Sequence, residues 1–74
     1  MNDTSWAVFL MISTGHAIRA ESVLKQAGVA CKLISVPRHL SSDCGVCVRV
    51  AARDVEQTLC ILKQAGLTFE LHML

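Results

Sequence analysis

Apolar and polar positions along this chain fall into two similar series. From Trp6 to Ile12 every residue is apolar, as in a strand covered on both faces. From about Gly15 to Ala27 they recur at helical spacing, with Ala17, Ala20, Leu24 and Ala27 on one stripe. A second strand is expected from Val29 to Val36. A third follows from Val46 to Val50, where Val46, Val48 and Val50 alternate with Cys47 and Arg49. The helical period then returns from about Arg53 to Ala65, with Val55, Thr58, Leu62 and Ala65 inward and Leu59 filling the gap. A last strand spans Thr68 to Met73, setting Phe69, Leu71 and Met73 against Glu70 and His72.

The pentapeptide Leu-Lys-Gln-Ala-Gly ends both helical patterns, at Leu24–Gly28 and Leu62–Gly66, and each copy leads into an apolar run. The order β-α-β-β-α-β predicts an α+β fold: a ferredoxin-like plait, with an antiparallel four-stranded sheet and two helices on one face. A swapped strand order is the alternative. Residues 1–74 make one small domain. Glu21 occupies the position equivalent to Leu59. A carboxylate there is costly unless bonded, so Glu21 is expected to have a partner.

In such a plait the end of strand 1, the start of helix 1, the end of strand 2 and the start of strand 3 share one edge. That brings Ser13–His16 beside the Pro37–Gly45 connection, where most of the unusual residues fall. Extending the strand 3 alternation backward points Cys44 toward the helix layer and Cys47 toward the other face. The first turn of helix 1 and Arg38 would then favour a thiolate on Cys44, the form a sulfur nucleophile needs. Gly45 would leave the sulfur accessible, and Ser41, Ser42 and Thr14 could donate hydrogen bonds to a bound anion. On a fully extended strand Cys44 and Cys47 would lie roughly 10 Å apart, whereas a disulfide needs Cα atoms within about 7 Å. One working thiol is therefore expected. A turn at residues 44 and 45 would reopen the case for a pair. Cys31 and Cys60 are expected to be small apolar fillers, and the histidines to be surface residues.

Composition narrows the function classes. The formal net charge is +1 without a basic cluster, which argues against nucleic acid. The N-terminal apolar run is too short for a membrane span or a signal, so no membrane association and a cytoplasmic location with reduced thiols are expected. No zinc spacing, glycine-rich phosphate loop or catalytic carboxylate pair is present, so neither metal nor cofactor is expected. Metal-transfer plaits carry Cys-x-x-Cys after strand 1, where this chain has Ser13–His16. The sheet face away from the helices should carry Cys47, Arg49, Glu70 and His72 around an exposed apolar strip from strand 1. Such a strip would suit a partner or a homodimer.

Two segments carry a family resemblance. Ser13, Thr14, Ala17, Ala20, Glu21 and Leu24 match the pattern S-T-x-x-A-x-x-A-E-x-x-L. Pro37, Arg38, Leu40, Ser41, Ser42, Asp43, Cys44 and Gly45 match P-R-x-[LI]-S-S-[DS]-C-G. On these residues the chain resembles the selenium/sulfur carrier protein-like family of small bacterial proteins. The resemblance implies a carrier rather than a stand-alone enzyme. It would hold sulfur or selenium as a persulfide or selenosulfide on Cys44, taking it from a donor such as a cysteine desulfurase and passing it to an acceptor protein. Two other readings stay open: a ligand-sensing or protein-interaction module without thiol chemistry, and a dithiol redox protein using Cys44 and Cys47.

Overall fold

The computed structural model describes residues 5–37, 40 and 45–74. Its elements run β1 (Trp6–Met11), α1 (Thr14–Gln26), β2 (Cys31–Ser35), β3 (Val46–Ala51), α2 (Val55–Gln64) and β4 (Phe69–Met73). The sheet order is β2-β3-β1-β4, and every neighbouring pair is antiparallel. This is the ferredoxin-like plait with the expected strand order. β1 is central, and all of its residues from Ala7 to Met11 are buried.

Most of the core lies between the sheet and the two helices. Ala7, Phe9 and Met11 from β1 and Val48 and Val50 from β3 meet Ala17, Ala20 and Leu24 of α1 and Leu62 of α2. The short side chains at positions 17 and 20 leave room for α1 to approach the strands. The stripe ends one turn earlier than its spacing suggests, because Ala27 is exposed.

The repeated pentapeptide has one physical meaning in both halves. Val29 N–H donates to the Leu24 carbonyl at 2.9 Å and Gly28 N–H to that of Lys25 at 3.0 Å. In the second copy Leu67 N–H donates to Leu62 at 3.0 Å and Gly66 N–H to Lys63 at 3.0 Å. These are paired Schellman closures, with Gly28 and Gly66 at φ 84° and 74° and a buried apolar residue just beyond each. Because Val29 serves the closure, β2 begins at Cys31 rather than at Val29. At the other helix start, a single 3-10 turn at Ala52–Asp54 precedes α2, and Asp54 makes no side-chain capping bond. The regular helix therefore starts at Val55, later than Arg53.

The opposite sheet face differs from its sequence-based expectation. Cys47 and Arg49 do project from it, but Val8 and Leu10 are 0% and 5% exposed and Cys47 is fully buried. They form a second apolar cluster, against which Ile34, Val36 and Leu40 pack. The chain leaving β2 crosses this side of the sheet and covers the strip. The exposed apolar band expected from β1 is thus absent.

Candidate functional site

The shared edge is assembled as the topology requires. Leu10 near the end of β1 lies opposite Cys47 at the start of β3, and Cys47 lies opposite Ile34 near the end of β2. Val36 N–H donates to the Gly45 carbonyl at 3.1 Å and closes the mouth of the β2–β3 connection. Within it, Leu40 N–H donates to the Pro37 carbonyl at 2.9 Å, and Leu40 packs against the Val8–Leu10–Cys47 cluster. Arg38, Ser41, Ser42 and Cys44 lie outside the described residues, as do His39 and Asp43. What is described is therefore the frame of the candidate site: Ser13–His16, Val36–Pro37, Leu40 and Gly45–Cys47.

Gly45 has φ 76°, a left-handed conformation that a side chain would strain, and a Cβ there would meet no described atom within 4 Å. The requirement for glycine comes from the backbone, rather than from crowding. The same angle ends the strand alternation. β3 starts at Val46, so the parity that directs Val46 and Cys47 to opposite faces gives no direction to the side chain of residue 44.

The start of α1 gives Ser13 and His16 a capping role that their place in the sequence did not spell out. Ser13 is the N-cap: its Oγ accepts from His16 N–H at 3.2 Å, and it shares a 2.7 Å hydrogen bond with His16 Nδ1. Which of the two donates in that second bond depends on the ring tautomer. Ser13, Gly15, His16 and Arg19 line an open depression beside the helix start. The signal was present in the sequence, as a serine immediately before a helical period. Thr14, named as an anion donor, is the first residue of α1 and is exposed.

Glu21 has the partner it was expected to need. Its Oε2 lies 3.4 Å from Lys25 Nζ one helical turn on. Its backbone carbonyl accepts a 3.7 Å hydrogen bond from the Cys31 thiol. Burial pushes the Cys31 pKa up, and the Glu21 charge adds to this while Lys25 opposes it. Cys31 is thereby held as a thiol, in keeping with a packing role. Cys60 departs from its expected role as a filler: it lies exposed on the outer side of α2.

A protein-family model described as "Putative Se/S carrier protein-like" matches residues 7–71, a span that includes both motif segments. The chain belongs to this family. No curated protein and no solved structure matches it significantly. Family membership agrees with a carrier-like role and with dealings with donor or acceptor proteins. Among the described residues, no helix is long and apolar enough to cross a membrane.

Proposed function

We propose that this chain is a cytoplasmic carrier that holds sulfur or selenium on Cys44 and delivers it to an acceptor protein. The observation that carries this reading is the family match across residues 7–71, which takes in the Pro37–Gly45 segment. The Cys44 thiolate attacks the terminal sulfur of a donor persulfide, such as that of a cysteine desulfurase. A new S–S bond forms on Cys44, the donor's own S–S bond breaks, and the donor cysteine leaves as a thiolate. Delivery is the same displacement in reverse roles: the acceptor attacks the terminal atom and the Cys44 thiolate departs. No external oxidant or reductant is needed. Selenium follows the same path as a selenosulfide.

Arg38, from the same connection as Cys44, is the cation this reading assigns to favouring its thiolate. The start of α1 would add its partial charge if the sulfur turns toward the helix layer. Ser41, Ser42 and Thr14 serve as hydrogen-bond donors to the anionic terminal atom, and Gly45 turns the chain beside it. Glu21 supports α1 through Lys25. The chain acts as a carrier, with donor and acceptor proteins providing the catalysis.

The test is mass spectrometry after incubation with a cysteine desulfurase and cysteine. The wild-type chain should gain one sulfur, Cys44→Ser should gain none, and Cys47→Ala should keep most of the gain. Alanine is chosen at 47 because a hydroxyl would be poorly matched to that apolar cluster. Arg38→Ala should retain the fold and slow Cys44 alkylation near neutral pH, with the difference shrinking as salt rises. An equal loss in both cysteine variants, together with a Cys44–Cys47 disulfide in good yield, would replace the carrier by a dithiol redox protein.

A further inference from the structure

The helix-free face divides into rows running across the strands. Nearest the β2–β3 connection is the row Ile34, Cys47, Leu10 and Glu70, which is apolar apart from its last member. The next row is Lys32, Arg49, Val8 and His72, and beyond it Ala51 lies opposite Trp6. Cations therefore sit side by side on β2 and β3, since Lys32 is directly opposite Arg49. Like charges directly opposite are destabilising, and both side chains line one depression that an anion could enter.

No described carboxylate fills that place. Among the described residues the acid on this face is Glu70, engaged by His72 at 3.1 Å at the far end of the sheet on β4. Arg49 instead lays its guanidinium over the Trp6 ring, 4.1 Å from the centroid. A guanidinium held over an aromatic face can still offer its terminal N–H groups to a carboxylate. The Arg49 Nε is buried without a hydrogen-bond partner, so an incoming carboxylate meets the terminal guanidinium nitrogens. Lys32 is exposed, Trp6 is 38% exposed and Leu74, whose N–H bonds the Trp6 carbonyl, is 50% exposed. An arginine, a tryptophan and an apolar neighbour on one open surface are the residue types that dominate protein–protein contacts.

We propose that Lys32, Arg49 and Trp6 form a docking site for an acidic segment of a partner protein. Charge complementarity selects the occupant. The depression lined by Trp6, Ala30, Cys31, Lys32 and Arg49 is open to one side, whereas a small-molecule site encloses most of its ligand. A segment of chain can place a carboxylate between the cations and an apolar side chain against Trp6 and Leu74. A second copy docking by the same face fits less well, because Glu70 is the acid on it among the described residues and already contacts His72. The site is independent of any chemistry at Cys44.

Trp6 is the sole tryptophan and there is no tyrosine, so its fluorescence reports directly on the site. The full chain is titrated with hexaglutamate, with hexaglutamine and with citrate. A saturable change with hexaglutamate alone is expected, weakening steeply from low to moderate salt. Lys32→Gln with Arg49→Gln should weaken it roughly tenfold or more, and Arg49→Lys should weaken it less. Lys32→Gln alone, at an exposed position, decides the matter if the Arg49 variant loses its fold. No saturable change with hexaglutamate, or an affinity unaltered by Lys32→Gln, overturns the proposal. Citrate binding as tightly as hexaglutamate would overturn it in favour of a small-anion site. Concentration-dependent self-association that Lys32→Gln abolishes would overturn it in favour of a second copy.

Discussion

Cys31 is built for inertness. Its Sγ donates to the Glu21 carbonyl, and burial and the Glu21 charge both disfavour the thiolate. It should alkylate more slowly than the exposed Cys60 at neutral pH, as peptide mapping by mass spectrometry would show. The pH dependence of stability follows from the same shift. Below the ordinary value of 9.0 both folded and unfolded chains keep the proton, and the contribution of Cys31 is complete. As the pH rises past that value the unfolded chain releases its proton first, so stability falls until the folded pKa is passed. Denaturation midpoints measured from neutral to alkaline pH should decline, and Cys31→Ala should flatten the decline. A slope that Cys31→Ala leaves unchanged would assign it to other groups.

At the scale of elements, both helices stop by the same device. Gly28 and Gly66 take left-handed angles that let the following N–H reach back to the helix end. Neither has a neighbour within 4 Å of where a Cβ would sit, so the cost of alanine there is conformational rather than steric. Gly28→Ala and Gly66→Ala should each destabilise the fold by about 1–2 kcal/mol, read as a lower urea midpoint with an unchanged slope. Similar losses are expected in the two halves because the closures match. This equivalence was legible in the repeated pentapeptide, whereas the cap at the other end of α1 was not read from Ser13. A C-terminal closure needs a glycine, which stands out in a sequence. A serine cap is one polar residue among several, and only the His16 contacts distinguish it.

The whole molecule depends on the layer between sheet and helices. Phe9 is fully buried at its centre and meets Phe69 edge to face, with centroids 5.2 Å apart and planes at 70°. Phe9→Ala should cost about 3–5 kcal/mol. A domain of this size is stable by only about 5 kcal/mol, at the low end for folded proteins. Circular dichroism should show the variant largely unfolded near physiological temperature. A cooperative melt close to that of wild type would mean that the cavity collapses around neighbouring side chains.

The local pattern by itself determined the kinds of element and their order, and narrowed the sheet to a plait with one alternative strand order. Alternation in β3 and β4, the unbroken apolar run of β1 and the helical stripes ending in glycine each impose one local geometry. Right-handed crossovers and short connections then leave few ways to join them. Only the tertiary structure decided how the opposite sheet face is covered. Strand parity sends Val8, Leu10 and Cys47 to that face, but whether they meet water depends on the path taken by Val36 and Leu40. It also decided that alternation stops at Gly45, because a single left-handed residue uncouples the side chains on either side of it. The pairing of Lys32 with Arg49 and the stacking of Arg49 on Trp6 belong there too. They join residues distant along the chain, and only the register of the sheet brings them together.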